Sequence, residues 1–198
     1  EVKRVALVVC ASNSSLCGAF NSNVARLLEK TLAEYHSLGK ENIVIYAVGK
    51  KAEEAVKRTG CSYKGTMQQL VDKPAYVDAY KLAEELMMSF ADEKVDRVEL
   101  IYHHFKSMGS QILTREEYLP IDLSKMTENG SGDEKNASRG YNNDYIVEPS
   151  VGAVISELLP MVLCQKIYTM LLDSVTSEHA ARMLAMQAAT DNADDLVQ

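Results

Sequence analysis

After Pro149 the sequence keeps one helical period almost to its end. Val151, Val154, Ile155, Leu158, Val162, Ile167, Met170, Leu171, Val175, Met183, Met186, Ala189 and Ala193 follow one another at three- or four-residue steps, with longer gaps around Gln165 and His179. Read as helix, residues 151–196 reach to roughly 70 Å at 1.5 Å per residue, more than a small domain is wide. Part of that helix must therefore project beyond whatever body the other residues build. Pro160 lacks an N–H and is expected to kink or interrupt it early.

The body is legible in the first part of the chain. Lys3–Ala11 is a nearly continuous apolar run, the pattern of a strand buried on both faces, and Asn42–Gly49 repeats it. Between them Val24, Leu27, Leu28, Leu32, Tyr35 and Leu38 mark an amphipathic helix closed by Gly39, and Lys51–Arg58 reads as a second, closed by Gly60. Strand, helix, strand and helix in this order imply parallel crossovers. A third helix starts after Lys73-Pro74 and shows its apolar face at Tyr76, Ala79, Tyr80, Ala83, Leu86, Met87 and Phe90. Asp96–Phe105 is a third long strand. Only Lys-Ser-Met-Gly-Ser separates it from Gln111–Leu119, too little for a crossover, so those two pair antiparallel. Thr114, Arg115, Glu116 and Glu117 suit an edge position. The expected fold is a Rossmann-like α/β domain over residues 1–120 with a mostly parallel sheet and one antiparallel edge strand. A loop and connecting segment over 121–149 and the long helix over 150–198 complete the chain. Lys125–Asp144, with Gly130, Gly132, Gly140 and four asparagines among charges, is expected to be a mobile loop.

Composition excludes several classes. The 198 residues carry a net charge of −7 with Lys and Arg scattered among acids, which speaks against a nucleic-acid binder. The longest uninterrupted apolar runs, Val5–Ala11 and Leu158–Cys164, fall short of the roughly 18 residues of a membrane span, and no direct membrane insertion is expected. No charged leader followed by an apolar stretch is visible. Cys10, Cys17, Cys61 and Cys164 lack the close pairing of a zinc site and read as reduced, buried thiols.

Nor do the residues assemble a catalytic constellation. The loop after the first strand, Ser12–Asn21, is where a doubly wound sheet usually holds its ligand, but it has one glycine, no lysine and no phosphate-loop pattern. His103 and His104 are adjacent on a strand and point to opposite faces. Cys17 has no base near it in sequence, and Glu116 and Glu117 diverge as strand neighbours do. No cofactor and no metal ligand set is expected.

The most informative stretch is Thr176–Ala193. Six alanines from Ser177 onward allow another helix to approach closely, Met183 and Met186 supply adaptable apolar contacts, and Glu178 and Arg182 stand four apart in the favourable orientation for a pair. No second long helix exists in this sequence to cover that seam, which points to a coiled-coil partner. Ser177-Glu-His-Ala-Ala-Arg-Met183 through Met186 and Ala189-Thr-Asp-Asn-Ala193 resemble the signature in the C-terminal shaft helix of the gamma subunit of the rotary F-type ATP synthase. Tyr145-Ile-Val-Glu-Pro-Ser150 resembles the segment that enters that helix, and Leu16-Cys-Gly-Ala-Phe-Asn21 the loop after the first strand of the family's Rossmann-like domain. Where the family often has an acid, a base and a glycine before Leu-Cys-Gly, this chain has Asn13, Ser14 and Ser15.

The resemblance implies a central-stalk subunit with no active site of its own. It would couple ion-driven rotation of the membrane ring to ATP synthesis, as part of hydrogen-ion or sodium transport. Its implied partners are the catalytic alpha/beta ring, the epsilon subunit and the membrane c-subunit ring, at the cytoplasmic face of the inner (plasma) membrane. Tyr145, Glu148 and Pro149 would lie near the foot on the membrane ring and Glu178, His179 and Arg182 on the lower shaft, with Met183 and Met186 as further candidates for subunit contact. The Glu1-Val2 start and the uncapped Leu196-Val197 finish lead us to expect a fragment lacking the N-terminal shaft helix and the end of the C-terminal one. Residues 151–198 carry six acids and two bases, −4 of the −7, and in the resembled family the N-terminal helix is rich in Lys and Arg. In the fragment alone, the Ala/Met seam near 180–193 is expected to fray or to pack against another copy. Two other readings stand beside this one: a small Rossmann-like nucleotide-binding enzyme with a helical dimerisation arm, and a structural adaptor unrelated to the synthase.

Overall fold

Val5–Cys10 forms β1, and all six of its side chains are buried. An apolar run without polar alternation has to be covered on both sides, and the sheet order β3-β2-β1-β4-β5 places β1 at its centre. The computed structural model describes residues 2–65, 67–121 and 148–197. Ile43–Val48 (β2) and Arg97–Ser107 (β4) flank β1 in parallel, with Val5 opposite both Ile43 and Arg97. Ser62–Lys64 (β3) extends the parallel part from β2, and Ser110–Leu119 (β5) turns back antiparallel on β4. The sheet is thus mostly parallel with one antiparallel edge strand, as the sequence pattern predicts.

The two-residue period of β1 divides the core. Val5, Leu7 and Val9 pack with Val24, Leu28, Ala52 and Val56 of the helices Phe20–Glu34 (α1) and Lys50–Thr59 (α2). Ala6, Val8 and Cys10 face the other way. There they meet the short helix Gln69–Asp72 (α3), the helix Tyr76–Ala91 (α4) and the long helix Val151–Val197 (α5).

Some elements differ from expectation. α1 begins at Phe20, not Val24, because Phe20 already belongs to its buried face; it ends at Glu34, and Leu38 lies in a 3-10 turn before Gly39. β3 and α3 went unseen, since the three side chains of β3 are exposed and α3 is a single turn. α5 is not interrupted at Pro160; the helix runs through it for 47 residues. The expected mobile loop Lys125–Asp144 lies outside the described residues.

Among the described residues, α5 is seated on the body along its middle. Leu163, Cys164, Ile167, Met170, Leu171, Ser174, Ser177, Glu178 and Ala180 are its buried residues. The Tyr118 hydroxyl near the end of β5 donates to Leu163 O at 3.0 Å, Lys166 pairs with Glu116 at 3.1 Å, and Ser177 Oγ donates to His103 O at 3.2 Å. The helix therefore runs in the direction of β1 and β4. Residues 151–162 leave the body past the amino edge of those strands, and residues from 181 onward past their carboxyl edge. Both arms expose large apolar side chains, among them Ile155, Leu158 and Met161 on one, and Met183, Leu184 and Met186 on the other. Although no uninterrupted apolar run reaches membrane length, α5 as a helix is long and apolar enough to cross a membrane by length and composition.

At Gly49, between β2 and α2, φ is +97° and a Cβ would stand 2.1 Å from Ala11 O. Gly49→Ala is expected to lower unfolding free energy by about 3 kcal/mol, read by urea denaturation, because both the left-handed backbone and the carbonyl clash must be relieved.

Candidate functional site

The polar groups that tie the long helix to the sheet meet at the carboxyl edge of the strands, around the loop between β1 and α1. Arg182 reaches from the last seated turn of α5 to this loop. Its Nη1 donates to Ser15 O at 2.6 Å and its Nη2 to Ser14 Oγ at 2.7 Å, and it also pairs with the Glu178 carboxylate one turn back. Glu178 is buried, so the guanidinium that grips the loop also neutralises a carboxylate taken out of water.

The loop's own polar atoms are turned inward. Asn21 Oδ1 accepts from the Ser12 N–H at 3.1 Å, and Asn21 Nδ2 donates to Ser12 Oγ at 2.8 Å. Asn13 Nδ2 donates to Gln68 O at 2.9 Å and to Asp72 Oδ1 at 2.6 Å, while its Oδ1 accepts the Lys50 N–H at 2.9 Å. In nucleotide-binding α/β folds a phosphate takes such helix N-terminal N–H groups. At the start of α2 an amide side chain of the chain itself takes one. Cys17 is buried beside Asn21 Nδ2, 3.1 Å from its Sγ, with no base against it among the described residues.

The adjacent histidines part as expected. His104 faces outward and pairs with Asp173 of α5. His103 is 3% exposed and stacks on Phe20 with ring centroids 4.1 Å apart, its Nδ1 without a hydrogen-bond partner among the described residues. Burial pushes its pKa down to about 4, so the ring is neutral at pH 7. His103, Phe20, Gln111, Ala181, Leu184 and Ala185 line a cleft of about 330 Å³ at the point where α5 leaves the body. Glu116 and Glu117 also diverge, to Lys166 and Arg97.

The residues singled out in the sequence occupy three places. Glu178 and Arg182 form the clasp just described. His179, Met183 and Met186 are exposed on α5. Glu148 and Pro149 are exposed just ahead of α5, about 40 Å from Glu178 along the helix, and Tyr145 lies outside the described residues. Ser14 and Ser15 were not foreseen as the partners of Arg182. They lie 168 and 167 residues from it, respectively, and no local pattern connects them. No group of His, Cys, Asp and Glu among the described residues is placed to hold a metal ion.

An ATP synthase family model matches residues 1–198. The ATP synthase gamma chain of Bacteroides fragilis is 58% identical over 197 residues, covering 100% of this chain and 66% of its own length, and that of Bacteroides thetaiotaomicron is 54% identical, covering 100% and 67%. The chain thus spans just under two thirds of the Bacteroides fragilis relative. Among solved structures, a chain of the central stalk and c-ring of the Tetrahymena thermophila mitochondrial ATP synthase is similar in fold, with a TM-score of 0.65 at 24% identity over 96% of this chain and 78% of its own.

Two measurements test the clasp and its surroundings. Arg182→Ala leaves the buried Glu178 carboxylate unpaired and is expected to cost about 2–3 kcal/mol in urea unfolding, with Glu178→Gln in the same chain returning part of that loss. The His103 ring binds its proton less readily folded than unfolded. Stability is therefore expected to fall as pH drops from about 6.5 towards 4, by up to about 3 kcal/mol, and to level off below; His103→Phe should remove that part of the pH profile.

Proposed function

This chain belongs to the ATP synthase gamma family, and on that premise we propose that it forms the body and lower shaft of a central stalk that carries rotation between a membrane ring and a catalytic ring. One observation carries the reading. Among the described residues, a 47-residue helix is gripped by its own domain between Leu163 and Arg182, and leaves an apolar arm at each end for other helices to cover. A torque element needs a stiff rod fixed to a body, and the Arg182 clasp, the Lys166–Glu116 pair and the Tyr118 and Ser177 hydrogen bonds fix it along both edges of the sheet. A helix belonging to the third of the subunit outside this chain is the proposed cover for both arms, as an asymmetric coiled coil.

In this reading the chain is not itself catalytic: the chemistry belongs to the catalytic alpha/beta ring. The epsilon subunit and the c-subunit ring are its other partners, and the complex sits at the cytoplasmic face of the plasma membrane. His179, Met183 and Met186, exposed where α5 leaves the carboxyl edge of the sheet, are proposed as contacts of the shaft, and Tyr145, Glu148 and Pro149 as part of the foot. Glu178 and Arg182 serve within the subunit, holding the shaft to its body. The inward-turned loop Ser12–Asn21 supports a subunit that needs no nucleotide there.

Reconstitution of the full-length subunit with the catalytic and membrane rings tests the proposal. The paired change Met183→Glu and Met186→Glu is expected to lower gradient-driven ATP synthesis at least about tenfold by placing charges in the shaft, while urea unfolding of the free subunit changes little. Unchanged coupling would count against the shaft contacts. Stoichiometric, micromolar binding of ADP to the free subunit in isothermal titration would favour the nucleotide-enzyme reading instead. Specific capture of the epsilon subunit would exclude an unrelated adaptor.

A further inference from the structure

On the α1–α2 face, away from the long helix, a cleft of about 490 Å³ opens at the amino edge of the sheet, in the size range of small-ligand sites. Its walls are apolar: Leu32 and Ala33 from the end of α1, Ile43 from the start of β2 and the buried thiol of Cys61. The cleft is built from fixed backbone. Gly39, at φ +81°, divides the two 3-10 turns on one side, and Gly60, at φ +70°, ends α2 in the left-handed region on the other. Lys40 Nζ donates to Thr59 O at 2.7 Å and ties these two sides together.

The rim has a different chemistry from the walls. His36, Lys40 and Arg58 line it against one carboxylate, Glu29, which stands on α1 a turn before Ala33. The Arg58 and His36 side chains make no hydrogen bond or ion pair among the described residues; Glu54, whose charge Arg58 feels, is itself bonded to Lys51, and Lys57 and Lys64 nearby are each paired with an acid. A guanidinium left unpaired at the mouth of an apolar cleft offers a bidentate seat to a carboxylate or phosphate oxygen pair. The cleft shares no lining residue with the clasp or with the exposed arms of α5.

We propose that this cleft is a binding site for an amphipathic anion: an unbranched alkyl chain lies against Leu32, Ala33, Ile43 and Cys61, and its anionic head is held by Arg58 with Lys40 and His36. A free fatty acid and one acyl chain of an anionic phospholipid share this chemistry. The site is independent of the shaft function.

The test uses the full-length subunit with decanoate as the probe, in isothermal titration. Saturable binding at one site with a Kd of roughly 10–100 μM is expected, about tenfold weaker for octanoate because two methylenes leave the cleft. Ala33→Phe, which fills the cleft from an exposed helix position, should abolish binding while leaving the unfolding curve in place. Arg58→Glu should weaken decanoate at least about tenfold and leave the neutral detergent octyl glucoside unaffected. Co-sedimentation with phosphatidylglycerol vesicles assigns the source: loss of sedimentation in Ala33→Phe identifies the lipid chain, and sedimentation equal to that of the parent protein identifies the free acid. No binding of decanoate below about 1 mM, or binding unchanged by both substitutions, would overturn the proposal.

Discussion

The middle of α5 closes the second face of the sheet, and the rest of the molecule depends on that closure. Val8 and Cys10 of β1 and Leu100 and Tyr102 of β4 point to a face that α4 covers only in part; Cys164, Ile167, Met170 and Leu171 supply the rest of one continuous core. A fully apolar central strand cannot tolerate water on either side, so the helix is held where it lies by the same burial that stabilises the sheet. Because the helix is far longer than the sheet, seating its middle leaves both ends outside. Domain core and projecting rod are in this way a single element.

Hydrophobic seating alone leaves a helix free to slide or roll, since apolar contact has no direction. The polar contacts around it supply direction. Tyr118 and Lys166 act at the amino edge of the parallel strands, His104 and Ser177 further along, and Arg182 at the carboxyl edge, where it engages a loop also bonded to itself and to the starts of α2 and α3. The opposite face has its own polar tie. Buried Glu99 accepts from the Tyr35 hydroxyl at 2.6 Å and from Arg115 Nε at 2.8 Å, joining α1 to the β4–β5 edge. Each charge withdrawn from water has its partner, so these contacts orient elements without leaving an uncompensated ion.

Much of the fold was open to reading in the chain because its signals are strong and local. The apolar runs at Val5–Cys10 and Ile43–Val48, the glycines after the helices, and the short connection at Met108-Gly109 each carry their own physical cause. β3 and α3 were hidden because Ser62–Lys64 has no buried side chain and Gln69–Asp72 is one turn; their existence follows from pairing and packing alone. Pro160 read as a break, yet the helix continues, since in an exposed arm the lost hydrogen bond falls where neighbouring carbonyls can meet water. The Glu178–Arg182 pair was visible by its spacing. Its grip on Ser14 and Ser15 was not.

The sequence by itself determined the order of elements, the depth of β1, the separation of His103 from His104, and the presence of a helix too long for its domain, because each follows from a period or a residue type within a few positions. Tertiary structure decided which turns of that helix are seated, which end leaves by which edge, and that Arg182 closes on a loop near the other end of the chain. It also decided that an apolar cleft with an unpaired arginine opens between α1 and α2. Those facts depend on contacts between residues far apart in the chain, and no local pattern of side chains encodes a distance that only the completed sheet defines.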